Sequence, residues 1–213
     1  MKIAIIGTGN VGGALGGSLA KAGHSVTFAG QDAEKAATVA QAAGATSASV
    51  ADAIAGADAV VLAVPGSSAP AVAAANAAAL AGKTVIDATN PLKADYSGLA
   101  TGPDSSNAEL IAAAAPGARV VKAFNTVFAG NMADAARLGT SLDALYATDD
   151  EVARAAFREV ASAVGFRPVH VGPLAAAREL EAMAWLNIRL QFVTNGYWQS
   201  SFGLVGAPEA ALA

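Results

Sequence analysis

Lys2-Ile3-Ala4-Ile5-Ile6-Gly7-Thr8-Gly9-Asn10-Val11-Gly12 is the stretch that decides the fold. The apolar run Ile3 to Ile6 ends at Gly7, and Gly9 and Gly12 follow at GxGxxG spacing. Ala14 to Ala22, rich in Ala, Leu and Gly, can continue as a helix. A strand, this glycine spacing and a helix together form the fingerprint of a dinucleotide-binding loop. Gly7 allows the tight turn off the strand. Gly9, lacking a Cβ, lets the backbone approach a pyrophosphate. Gly12 lets the helix pack close to the sheet. The helix start adds free N–H groups and a positive dipole end, which suit phosphates. A glycine-rich turn that binds nothing is the competing reading, because the chain has 22 glycines. The second apolar run, Ser25–Ala29, lies one βαβ unit later and favours the nucleotide loop.

Outward from this loop, strand-like and helix-like segments alternate. Strands are predicted at 2–6, 25–29, 59–64, 84–87 and 119–123, and helices at 11–22, 33–43, 69–80 and 107–114. Ala59-Val60-Val61-Leu62-Ala63-Val64 is apolar on both faces, as a parallel strand covered by helices requires. A further strand–helix–strand unit (143–147, 151–164, 167–171) extends the sheet. The expected fold is α/β, a Rossmann-type doubly wound, mostly parallel sheet with a C-terminal helical extension.

Gly172-Pro173 punctuates the chain. It divides an expected dinucleotide-binding domain, 1–172, from a C-terminal helical segment, 173–213. In 174–203, Leu180, Met183, Ala184, Leu186, Leu190 and Val193 form one apolar face, and Trp185, Ile188, Phe192 and Trp198 spread over another. A helix apolar on more than one face is buried on more than one face. This segment is therefore expected to cover the cleft and to form a homodimer interface; an intramolecular core helix is the plainer alternative.

Composition narrows the function. Of 213 residues, 54% are hydrophobic and 14% charged, and the net charge is −4 without a basic cluster, which argues against nucleic acid. Cysteine is absent, so no disulfide, thiol nucleophile or Cys-ligated metal is expected. No long uninterrupted apolar span suggests a membrane helix. The first apolar run reads as a strand rather than a leader, and a cytoplasmic protein is expected.

The loops after the strands should line the cleft. Ala29-Gly30-Gln31-Asp32-Ala33-Glu34-Lys35 carries neither a clean NAD-type acid nor a clean NADP-type cation. Gln31 can donate to a 2′-hydroxyl or a 2′-phosphate, Lys35 can reach a 2′-phosphate, and Asp32 is placed to cap the next helix. Val64-Pro65-Gly66-Ser67-Ser68, Asp87-Ala88-Thr89-Asn90-Pro91-Leu92 and Lys122-Ala123-Phe124-Asn125-Thr126-Val127 combine polar side chains with small or rigid residues. Such loops can surround a nicotinamide ring without crowding it.

GTGNVG at 7–12, VVLAVP at 60–65, DATNPL at 87–92, VVKAFNTV at 120–127 and VGPLAAAREL at 171–180 occur together and in this order. The pattern resembles the F420-dependent NADP oxidoreductases and their bacterial dinucleotide-binding relatives, and also the reductase domain of the STEAP metalloreductases. The resemblance spans nearly the whole chain. It implies that Gly7, Thr8, Gly9, Asn10, Val11 and Gly12 bind the pyrophosphate of NADP, or of NAD. Gly30, Gln31 and Lys35 would surround the adenosine ribose, and Val64, Pro65, Asn90 and Ala123 would border the nicotinamide. A second ring system, F420 or a flavin such as FMN or FAD, would stack there beside Asn125, Thr126 and Val127. The chain departs from the family at Gly30 and Gln31, where NADP-specific members have Ser and Arg, and at Asn125 and Phe128, where deazaflavin enzymes tend to have His and Pro. Phe128 is expected to fill part of the deazaflavin pocket.

Hydride transfer between two stacked rings needs no side-chain acid or base, because the cofactors carry the chemistry. The sequence has no Ser-His-Asp set, no HExxH and no metal-ligand spacing, and its two histidines, His24 and His170, read as structural. No residue is firmly catalytic; Lys122 and Asn125 are the candidates, Lys122 through its charge toward a reduced ring or a carbonyl, with a strand-end lysine paired with a carboxylate as the plainer alternative. The expected activity is hydride exchange between NADP(H) and a flavin-type acceptor, foremost F420. Two alternatives stay open: a dehydrogenase for a small carbonyl or imine, using Lys122, His170 or Tyr96 as proton donor, and an NAD(P)H sensor without turnover.

Overall fold

The computed structural model describes residues 1–206 and 209–212. Eight strands form one sheet: β1 (Lys2–Ile6), β2 (Ser25–Ala29), β3 (Thr46–Ser47), β4 (Ala59–Leu62), β5 (Thr84–Asp87), β6 (Arg119–Ala123), β7 (Asp143–Ala147) and β8 (Arg167–Gly172). Their order is β3-β2-β1-β4-β5-β6-β7-β8. All neighbouring pairs run parallel except β6 and β7. The helices are α1 (Asn10–Lys21), α2 (Ala33–Ala43), α3 (Val50–Ala55), α4 (Ala69–Ala75), α5 (Ala77–Leu80), α6 (Asn107–Ala114), α7 (Ala129–Ala133), α8 (Glu151–Ala163), α9 (Ala177–Thr194) and α10 (Glu209–Leu212). The expected Rossmann-type doubly wound sheet with a C-terminal helix is the observed one.

Strand alternation builds two cores. Ile3, Ile5, Val61, Ile86 and Val121 face Leu15 and Leu19 of α1 and Phe157 and Val160 of α8. Ala4, Ile6, Val60, Leu62, Val85 and Val120 face Ile54, Ala73, Leu80 and Ile111 on the other side. β4, β5 and β7 are buried at every residue and β1 at all but Lys2, which requires both layers and is why β1 and β4 read as apolar runs. β1 lies between β2 and β4, so the winding reverses at its carboxyl end and opens a crevice there.

The structure departs from the sequence expectation in several places. The strand expected to reach residue 64 stops at Leu62, because Ala63 passes directly under the glycine turn, where a Cβ on Gly7 would overlap its carbonyl oxygen. The helix expected over 69–80 breaks at Asn76, whose side chain donates back to the Val72 carbonyl at 2.8 Å. β3, α3 and α7 were not anticipated; all are too short to show a period. No helix among the described residues is long and apolar enough to cross a membrane.

Candidate active site

The glycine loop sits where the crevice opens. Gly7 adopts φ +121°, a conformation that L side chains rarely take. A Cβ on Gly12 would overlap the Gly7 carbonyl, whereas one on Gly9 would meet nothing within 4 Å. Gly12 thus serves the fold, and Gly9 keeps an open approach to the backbone. α2, α3, α6 and α8 are capped by the side chains of Asp32, Ser49, Ser106 and Asp150. α1 has Gly9 as N-cap and no side-chain cap, so its first-turn N–H groups are free for an anion.

A cavity of about 530 Å³ adjoins this helix start. Its wall takes Asn10 and Val11 from α1, Asn90 from the loop after β5, Asn125 to Phe128 after β6, and Ala184, Asn187 and Ile188 from α9, with Trp198 beyond. Among the described residues, no Asp, Glu, Lys, Arg or His lines it. The size lies in the range of small-molecule and cofactor pockets. Phe128, expected to fill part of the deazaflavin pocket, lines the cavity and packs edge-on against Trp198 with ring centroids 5.4 Å apart.

Phe124 shapes the floor. It is fully buried and has φ +62°, rare for an aromatic residue. Its ring is held edge-on by Phe157 and Phe166, at 5.2 and 5.7 Å. That anchor stabilises a turn at the end of β6 which sends Asn125, Thr126 and Val127 into the cavity wall.

Beneath the floor lies a buried polar network. Lys122, fully buried, donates to Asp87 Oδ2 at 2.9 Å, to Glu181 Oε1 at 2.8 Å and to the Thr89 carbonyl at 2.6 Å. Thr89 returns its N–H and Oγ1 to Asp87 Oδ1 at 2.9 and 2.6 Å. The Asn107 N–H donates to Glu181 Oε1 and Oε2 at 2.9 and 3.1 Å, and Asn107 Nδ2 donates to Thr89 Oγ1 and the Gly66 carbonyl. One ammonium thus serves two carboxylates. Burial pushes the Glu181 carboxyl up from its ordinary value, against the pull of Lys122.

The expectation that Lys122 faces a ring or a carbonyl is corrected here. All three of its protons are spent inside the network, and none is left for the cavity. Asn10, Val11, Asn90 and Asn125 come together on the cavity wall, with Gly7 and Gly9 in the turn that precedes α1 and Gly12 in its first turn. Ala123 is fully buried beneath it; Val64 and Pro65 sit at the end of β4 outside the lining. Gln31 and Lys35 are exposed beside Gly30, beyond β2, and the Asp32 carboxylate caps α2 as expected, at 2.9 Å from the Lys35 N–H. His170, near the Thr148 carbonyl and tilted against Tyr146, and Tyr96, edge-on to Phe192, are not part of the wall.

α9 brings residues that were not anticipated. Its buried stripe is Ala177, Leu180, Glu181, Ala184, Asn187, Ile188 and Gln191, while Leu186, Leu190, Phe192 and Val193 stay exposed. The inner face mixes Leu180, Ala184 and Ile188 with the polar Glu181, Asn187 and Gln191, and part of the apolar surface expected to meet a second subunit, Leu186, Leu190 and Val193, is exposed on the single chain. Asn187, Gln191 and Ser200 hydrogen-bond one another and fix the turn that carries Trp198. Nothing local sets Glu181 apart from Glu179 of the same helix, or Lys122 from Arg119 of the same strand; the tertiary fold pairs Glu181 with Lys122.

The glycine turn, the uncapped helix and an uncharged ring-sized cavity define a pyridine-nucleotide oxidoreductase. Residues 2–91 match the family described as NADP oxidoreductase, coenzyme F420-dependent. The F420-dependent NADP reductase of Methanothermobacter marburgensis is 32% identical over 98% of this chain and 100% of its own length. A solved structure from Arthrobacter sp. FB24, proposed to be an F420-dependent NADP-reductase, superposes with a TM-score of 0.88 at 31% identity, covering 96% of this chain and 99% of that one. Metalloreductase STEAP3 of Rattus norvegicus is 38% identical over 104 residues, 49% of this chain but 20% of that protein. The chain belongs to the F420-dependent NADP oxidoreductase family.

Proposed function

We propose that the protein transfers hydride between NADP(H) and the deazaflavin coenzyme F420. The observation that carries this reading is the cavity wall: apolar side chains and neutral amides, with no ionisable group among the described residues. A carbonyl or imine reductase needs a proton delivered to the substrate heteroatom. A deazaflavin accepts hydride at its C5 carbon and can take its proton at a ring nitrogen from solvent, so the protein need only hold two rings face to face.

In this reading the free N–H groups of α1 and the loop Gly7 to Gly12 hold the pyrophosphate. Gly30, Gln31 and Lys35 meet the adenosine ribose. Val64, Pro65, Asn90, Ala123 and Asn125 surround the nicotinamide, and Phe128, Ile188 and Trp198 shape the space for the second ring. Residues 1–172 are then the nucleotide-binding domain and 173–213 the cover of the cleft. The exposed Leu186, Leu190 and Val193 serve a homodimer, which would sediment at twice the chain mass. Initial rates of NADPH and NADH oxidation with F420, FMN and FAD side by side test the reading. F420 should be the acceptor used; cofactor binding without turnover on any of the three would overturn it.

A further inference from the structure

Asn125 holds a buried acceptor with no protein partner. The residue is 5% exposed, and its Oδ1 has no hydrogen bond. Its amide orientation is fixed by backbone groups. Asn125 Nδ2 lies 3.0 Å from the Leu180 carbonyl, which can only accept, so that atom must be the donor. Asn90 Nδ2 lies 2.9 Å from the Asn125 carbonyl, so the Asn90 Oδ1 must be the atom that accepts from Asn125 Nδ2, at 3.1 Å. Both amides are locked, and neither can flip without setting oxygen against oxygen. Asn125 Oδ1 is left over, in a residue that lines the cavity. An unpaired buried carbonyl is costly, and native interiors rarely retain one without a reason. The turn that places it is itself strained at Phe124.

We infer that Asn125 Oδ1 accepts a hydrogen bond from an amide-type N–H on the edge of a bound ring, and so fixes how that ring lies in the cavity. This deepens the function proposed above and rests on it. Two rings carry the chemistry: the nicotinamide through its carboxamide N–H, and the deazaflavin through the imide N–H of its pyrimidine portion. Among the described residues, Asn131 Oδ1 is the only other buried side-chain oxygen without a partner, and it lies outside the cavity wall.

The experiment changes the ligand first, so that it does not depend on a variant that folds. Binding of NADP is compared with that of its 3-acetylpyridine analogue, which keeps the carbonyl and lacks the N–H. F420 is compared with an N3-methylated deazaflavin in the same titration. The unaltered protein should lose about tenfold in affinity for one of the two altered rings. In Asn125→Ala that discrimination should vanish, and which ring is affected names the source. Equal affinity for each altered and unaltered pair, or discrimination that survives in Asn125→Ala, would overturn the inference. Failure of NADP itself to bind would instead overturn the functional reading.

Discussion

The two ends of the cavity are built on opposite plans. At the α1 end the interior is apolar: Leu15 and Leu19 pack on Ile3 and Ile5, and the site is made of backbone. At the α9 end the interior is mixed: Glu181, Asn187 and Gln191 point inward among Leu180, Ala184 and Ile188, while Leu186, Leu190 and Val193 point out. Backbone N–H groups need only a glycine turn to present them, so the first end is written in local sequence. The second end works through side chains whose partners lie far along the chain. Lys122 and Glu181 are 59 residues apart, and Asn125 and Leu180 are 55 apart. The nucleotide end can thus be damaged by a methyl group, and the α9 end by a change of charge.

The largest effect is expected in the charge network. Lys122→Met leaves two buried carboxylates facing each other, and chemical denaturation should show a loss of about 3–5 kcal/mol. A loss below 1 kcal/mol would mean that the network does not join α9 to the sheet. At the other end, Gly12→Ala sets a Cβ against the Gly7 carbonyl and should cost about 1–3 kcal/mol. Gly9→Ala should keep stability within about 1 kcal/mol and still weaken NADPH binding, because its Cβ enters the open space proposed for the pyrophosphate. If both substitutions behave alike, the division of labour between these glycines is wrong.

Glu181 sharpens the comparison through pH. Its folded carboxyl titrates above the ordinary value of 4.5, so the folded state holds the proton more tightly than the unfolded chain. The stability that this group contributes is full below 4.5 and falls as pH rises through the folded value, at up to about 1.4 kcal/mol per pH unit. Glu181→Gln should flatten that part of the stability profile; an unchanged slope would assign it elsewhere. The smallest effect belongs to Lys35, exposed beyond β2. Lys35→Ala should weaken NADPH by about two- to fivefold and leave NADH nearly unchanged, as an exposed ion pair allows. Equal change for both would remove Lys35 from the ribose site.

The same contrast explains what the sequence could reveal. The nucleotide half was legible because its strands are apolar on both faces and its turn needs glycines at fixed spacing. The loops carrying Asn90 and Asn125 were legible as strand ends facing a crevice. Lys122 stayed open between two readings because a lysine at a strand end reads the same whether it faces a ligand or a carboxylate. The polar part of the inner face of α9 was not legible because periodicity reports which residues share a face, and not which face turns inward. The inner face is set by Glu181, whose partners Lys122 and Asn107 come from β6 and α6. Phe124 gave no sign of its positive φ, since a turn of that kind is held by Phe157 and Phe166 from across the fold.

The central claim is that an uncharged cavity between α1 and α9 passes hydride directly from one ring to another. NADPH carrying deuterium at the transferred position of its nicotinamide tests it most directly, with F420 as acceptor and the reduced product examined by mass spectrometry and NMR. The account predicts one deuterium bound to C5 of the reduced deazaflavin, appearing as fast as NADPH is consumed. Reduced F420 without the label, or no reduction of F420 by a protein that binds NADPH, would contradict it.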